Sequence, residues 1–103
     1  MSEKVWTTYW FDFTEAEALS KDAVRPAYDK ALADAGNDPK LLGELVCALM
    51  RKTIWWGKEN RELAALYQEL QEDAHTHAVE VLDGDDLAYY LNRLFEEGRN
   101  SVG

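Results

Sequence analysis

The chain has 103 residues, 47% hydrophobic and 12% aromatic, which suits one cored domain and is too apolar for a disordered chain. A formal net charge of −9, from 20 acidic and 11 basic residues, argues against direct contact with nucleic acid and with anionic membranes. A lone cysteine, Cys47, rules out an internal disulfide; without a signal-peptide pattern or a membrane-length apolar run, the expected setting is cytoplasmic.

Residues 1–13 form the first segment. Val5, Thr7, Tyr9, Phe11 and Phe13 share one parity among β-branched and aromatic neighbours, the pattern of an extended arm or strand. No partner strand follows, so the arm should cross the helices or pair with a second chain. Thr14 and Glu17 then have the spacing of a capping box, with Thr14 as N-cap. Leu19, Ala23, Ala27 and Ala31 continue at helical spacing, interrupted by Pro26. That proline predicts a kink, or a short helix over 15–21 followed by another from about 23. Gly36-Asn37-Asp38-Pro39 ends the segment and opens the next, with Asp38 as cap and Pro39 at the first helical position.

Residues 39–57 give the most apolar helix. Leu41, Leu42, Leu45, Val46, Leu49 and Trp56 cover a broad face, widened by Cys47, Met50 and Ile54. From 59 to 82, Leu63, Leu66, Tyr67, Leu70, Ala74, Ala78 and Val81 predict a long amphipathic helix, although 78–82 also reads as a short strand. The turn 83–86 caps a last helix. Leu87, Leu91, Leu94 and Phe95 form its stripe, Gly98 its stop, and 99–103 a fraying tail. The fold class is therefore all-α: a small four- to five-helix bundle over 14–98, as one domain, behind the extended N-terminal arm.

Candidate chemistry is sparse. Glu72-x-x-His75 has the ligand spacing of carboxylate-bridged metal bundles, but such a site needs a second motif and two more Glu. A symmetric dimer, with Glu69 or Glu44, could complete it; solvated surface residues are the simpler reading. His75 and His77 point away from each other on a helix, and His77 falls near the apolar seam, where a satisfied, partly buried histidine is expected. Cys47 in an apolar helix reads as a small hydrophobe and not a nucleophile. Arg51, Lys52 and Lys58 interleave with Trp55 and Trp56, a combination able to stack bases, yet three cations on an acidic chain make that case weak. Adjacent tryptophans on a helix cannot face the same way, so one should be core and the other a rim anchor for binding. No cofactor and no metal is expected, and the chain does not read as an enzyme.

Charge distribution is the informative feature. Residues 69–97 hold nine acids (Glu69, Glu72, Asp73, Glu80, Asp83, Asp85, Asp86, Glu96 and Glu97) and one base, Arg93, which is −8 of the total −9. If the last two helices pack antiparallel, these acids form one surface able to imitate phosphates. The expected role is a non-enzymatic binder or inhibitor. It would engage a basic surface of a nucleic-acid-handling protein through Glu69, Glu72, Asp73, Glu80, Asp83, Asp85 and Asp86, with Trp55 and Trp56 as apolar anchors. The profile is that of phage and mobile-element inhibitors of restriction or CRISPR systems, an analogy of composition and not of residues. The alternatives are a homo-oligomeric scaffold or accessory subunit, with a homodimer through the arm and the apolar central helix, and a metal-dependent enzyme built on Glu72 and His75.

Overall fold

The computed structural model describes residues 13–102, and these form an all-α bundle. In chain order the helices are α1 (Thr14–Leu19), α2 (Lys21–Ala35), α3 (Pro39–Trp56), α4 (Arg61–Val81) and α5 (Gly84–Val102). No strand occurs among the described residues, and the stretch that also reads as a strand, 78–82, is helical through Val81. The expected extended arm lies outside the described residues.

Local chemistry accounts for most boundaries. Asp38 accepts from the backbone N–H groups of Lys40 and Leu41 at 2.9 and 3.4 Å, and Pro39 opens α3 where a missing N–H costs nothing. Asn60 caps α4 through Leu63 N–H at 3.1 Å. Gly36, at φ +57°, ends α2 in a conformation that a side chain would strain, while its N–H closes on Leu32 O.

The second of the two outcomes expected around Pro26 is the one found, a short helix followed by another, and the break falls at Ser20, whose Oγ accepts from Ala23 N–H at 3.2 Å. Pro26 sits inside α2 without ending it; the donor it lacks would have served Asp22 O, near the solvated start of the helix. Two expectations at helix ends need correction. Thr14 is already helical, with Phe13 at the cap position. The Glu17 carboxylate is turned inward instead, where it accepts from Tyr67 Oη at 2.7 Å and meets Lys52 Nζ at 2.6 Å. Finally, α5 runs past Gly98 to Val102.

Helix α3 is central. Leu42, Gly43, Leu45, Val46, Cys47 and Leu49 are buried around most of its circumference, because α4 packs on one side, α5 on another and α2 across it. Val24, Tyr28, Leu70, Ala74, Ala78 and Tyr90 join them in the core, with Phe13, Ala31, Ala35, Leu63, Tyr67 and Leu82. Each fully buried leucine here contributes ~1.5–3 kcal/mol. Gly43 allows the closest approach: a Cβ there would lie 3.3 Å from Arg93 Cγ and 3.8 Å from Tyr90 Cδ1.

Cross-helix pairs give the directions. Lys21 meets Glu62, Arg25 meets Glu69 and Tyr28 meets Asp73, so α2 and α4 run the same way. Glu44 meets Arg93 and Arg51 meets Glu97, so α3 and α5 do as well. Helices α4 and α5, whose antiparallel packing would join their acids into one surface, are not closely packed on each other. Helix α5 packs mainly on α3, and α4 reaches it chiefly where His75 Nδ1 lies 2.7 Å from Tyr90 Oη.

Candidate functional site

The nine acids of 69–97 divide into two groups. Three have partners inside the fold. Glu69 pairs with Arg25 at 3.0 Å. Asp73 accepts a hydrogen bond from the fully buried Tyr28, whose hydroxyl could find no water of its own. Glu97 is 8% exposed and receives both Arg51, at 2.9 Å, and Arg93, at 3.4 Å. Arg93 also reaches Glu44 at 2.9 Å, and this hydrogen bond is the main reason its guanidinium is held more firmly charged. Glu69 and Asp73 thus each have a partner across the α2–α4 seam, while both remain exposed. Their register explains it: 62, 69 and 73 follow one edge of α4, and 21, 25 and 28 the facing edge of α2.

Glu72, Glu80, Asp83, Asp85, Asp86 and Glu96 remain. All six are exposed and none has an ion pair among the described residues. Glu80, Asp83, Asp85 and Asp86 gather where α4 ends and α5 begins, with Glu72 two turns back along α4. Two of these placements have an ordinary structural use: Asp85 and Asp86 occupy the first turn of α5, where the helix dipole favours a carboxylate. Glu80 has the opposite placement. It lies in the last turn of α4, which carries no base, and a negative charge there costs ~0.3–1 kcal/mol. The corner is therefore an array of hydrated carboxylates suited to accepting hydrogen bonds from lysine and arginine.

The tryptophans separate as their spacing requires. Trp55 is 70% exposed on the outer side of α3, beside exposed Ile54. Trp56 packs against the core, and its indole N–H is buried without a partner among the described residues. Both sit at the C-terminal end of α3, away from the acidic corner, so they are not part of one surface with it. The α5 stripe is also displaced. Tyr90, Leu87 and Leu94 turn inward, whereas Leu91 is 44% and Phe95 66% exposed. Helical spacing predicts a stripe of Leu87, Leu91, Leu94 and Phe95, whereas in the fold Tyr90 is buried and Leu91 and Phe95 are not.

The remaining candidates have structural surroundings. His75 is half-buried and stacks on Tyr90, with ring centroids 5.7 Å apart, so it is not the solvated surface residue expected. Burial pushes the Tyr90 phenol well above its ordinary range. His77 is half-buried, with Nε2 3.5 Å from Gly36 O, at the limit of a hydrogen bond. Among the described residues no group of three or more His, Cys, Asp or Glu is placed to hold a metal. Cys47 is buried, and burial pushes its thiol up to about 12, against a smaller opposing pull from Arg93, so it is a poor nucleophile at neutral pH. No helix among the described residues is long and apolar enough to cross a membrane. No family model matches this sequence, and comparisons with curated proteins and with solved structures find no match.

Proposed function

We propose that the protein is a binding module whose acidic corner engages a basic protein surface, of the kind built to hold nucleic-acid phosphate. One observation carries the reading: five exposed carboxylates without ion pairs, Glu72, Glu80, Asp83, Asp85 and Asp86, gather at and near the α4–α5 turn. Glu80 adds weight, because it stands where the helix dipole opposes it. Crowded like charges lower stability, and a partner of opposite sign would relieve that cost.

The test uses Glu72→Lys with Glu80→Lys. Both positions are exposed, and the second change suits the α4 dipole, so the variant should fold at least as well as the parent. A partner is first enriched from cell lysate at low salt, and association is then measured directly. The variant should slow association roughly tenfold while dissociation changes little. Raising salt from 0.15 to 1 M shortens the Debye length from ~8 to ~3 Å and should erase the difference. Asp29→Lys, on the opposite side of the charge division, should change little. An on-rate indifferent to salt and to both lysines would reduce the corner to solubility.

A further inference from the structure

Tyr89 stands among carboxylates. It is 51% exposed on the solvent side of α5. Asp85 and Asp86 lie one turn before it on the same face, at i−4 and i−3, and Glu96 two turns after, at i+7. All three acids are exposed, and none has an ion pair among the described residues. A long side chain on a helix leans back over the preceding turn, so the Tyr89 ring is directed toward Asp85 and Asp86. The nearby cations leave this face open. Arg93, one turn after Tyr89, is committed to Glu44 and Glu97. The Glu44–Arg93 pair brings Lys40, one turn earlier on α3, to the level of Tyr89, yet Lys40 makes no ion pair among the described residues. A tyrosine ring beside carboxylates attracts a planar cation in two ways: the ring takes its face, and a carboxylate takes its N–H edge. Guanidinium suits both, being planar, forked and weakly hydrated, whereas the lysine ammonium is a compact, strongly hydrated charge. A second copy of this chain, itself at −9, would bring like charge to these acids.

We infer that Tyr89, with Asp85 and Asp86, receives an arginine of the basic partner, its guanidinium stacked on the phenol ring and hydrogen-bonded to a carboxylate. The inference rests on the reading above that the partner is basic, and adds which of its side chains is recognised and by what.

The probes are a short synthetic peptide alternating arginine with glycine, and the same peptide with lysine at every arginine, so that charge is equal. Fluorescence anisotropy at low salt gives the affinity of each for the full chain. The arginine peptide should bind roughly two- to fivefold tighter, the range of an exposed cation–ring contact. Tyr89→Leu keeps an apolar side chain without a ring, and should abolish the preference by weakening the arginine peptide while sparing the lysine one. Tyr89→Phe keeps the ring without its hydroxyl, and should retain the preference. Both variants should give the parent's circular dichroism, because the ring is half exposed. Glu72→Lys with Glu80→Lys should weaken both peptides alike. Equal affinities for the two peptides, or a preference that survives Tyr89→Leu, would overturn the arginine site while leaving the acidic corner standing. A preference lost in Tyr89→Phe as well would assign it to the hydroxyl and overturn the stacked arrangement. An arginine preference with both affinities untouched by the two lysines would keep the Tyr89 site and remove the acidic-corner reading. Failure of both peptides to bind overturns both.

Discussion

Removing either half of the Tyr28–Asp73 hydrogen bond should have unequal costs, because its two ends lie in different environments. Tyr28 is fully buried, and Asp73 is exposed. Tyr28→Phe removes the donor and leaves a carboxylate that water can satisfy, so the loss falls at the low end for a bond to a charged group, ~1–1.5 kcal/mol. Asp73→Ala removes the acceptor and strands a buried hydroxyl, which should cost ~2–3 kcal/mol. The double variant removes both partners and should be no less stable than Asp73→Ala alone, giving a coupling of ~1–1.5 kcal/mol. Guanidinium unfolding followed by circular dichroism, with unchanged m-values, reads all three free energies. Equal single costs that simply add would show that the two groups do not bond in solution. Asp73 would then return to the list of carboxylates available to a partner.

Alkaline pH should unfold the protein early. Burial raises Cys47 from near 9 to about 12 and raises Tyr28 and Tyr90 further, so their neutral forms stabilise the fold. For the thiol, that contribution is complete below pH ~9 and is lost as pH climbs toward about 12; unfolding at pH 8, 9.5 and 11 should show the decline, smaller in Cys47→Ala. At pH 8 the native thiol should resist a disulfide reagent that reacts at once in denaturant. Glu97→Gln should cost ~1–2 kcal/mol by leaving Arg51 and Arg93 short of their shared carboxylate, whereas Glu96→Gln next to it should stay within ~0.5 kcal/mol by the same unfolding measurement. Gly43→Val should cost ~1–3 kcal/mol by crowding Arg93 and Tyr90, while Gly43→Ala should be near neutral in thermal melts, since its helix gain of ~1 kcal/mol offsets a slight shift of Arg93.

The helices themselves were legible in the residues. Asp38 with Pro39, the apolar breadth of 39–57 and the seam of Leu63, Tyr67, Leu70, Ala74 and Ala78 are local signals, and local signals survive folding. Ends were read less well. Thr14 and Glu17 have capping-box spacing, but Lys52 and Tyr67, far away in the chain, draw the Glu17 carboxylate inward. The stripe of α5 shows the same limit: periodicity identifies an apolar arc, while which half is covered depends on where α3 lies, so Tyr90 went in and Leu91 and Phe95 stayed out.

The acidic bias of 69–97 can be counted without a structure. Its division into bonded and available carboxylates cannot, because Arg25, Tyr28 and Arg51 reach their partners across helices that only packing brings together. Sequence determined how much negative charge this protein carries and on which helices, since composition and helical period are properties of single segments. Tertiary structure alone decided that Glu69, Asp73 and Glu97 meet partners on other helices while Glu72, Glu80, Asp83, Asp85 and Asp86 have no ion pair among the described residues, because such contacts depend on distances of a few ångströms between residues more than 40 positions apart.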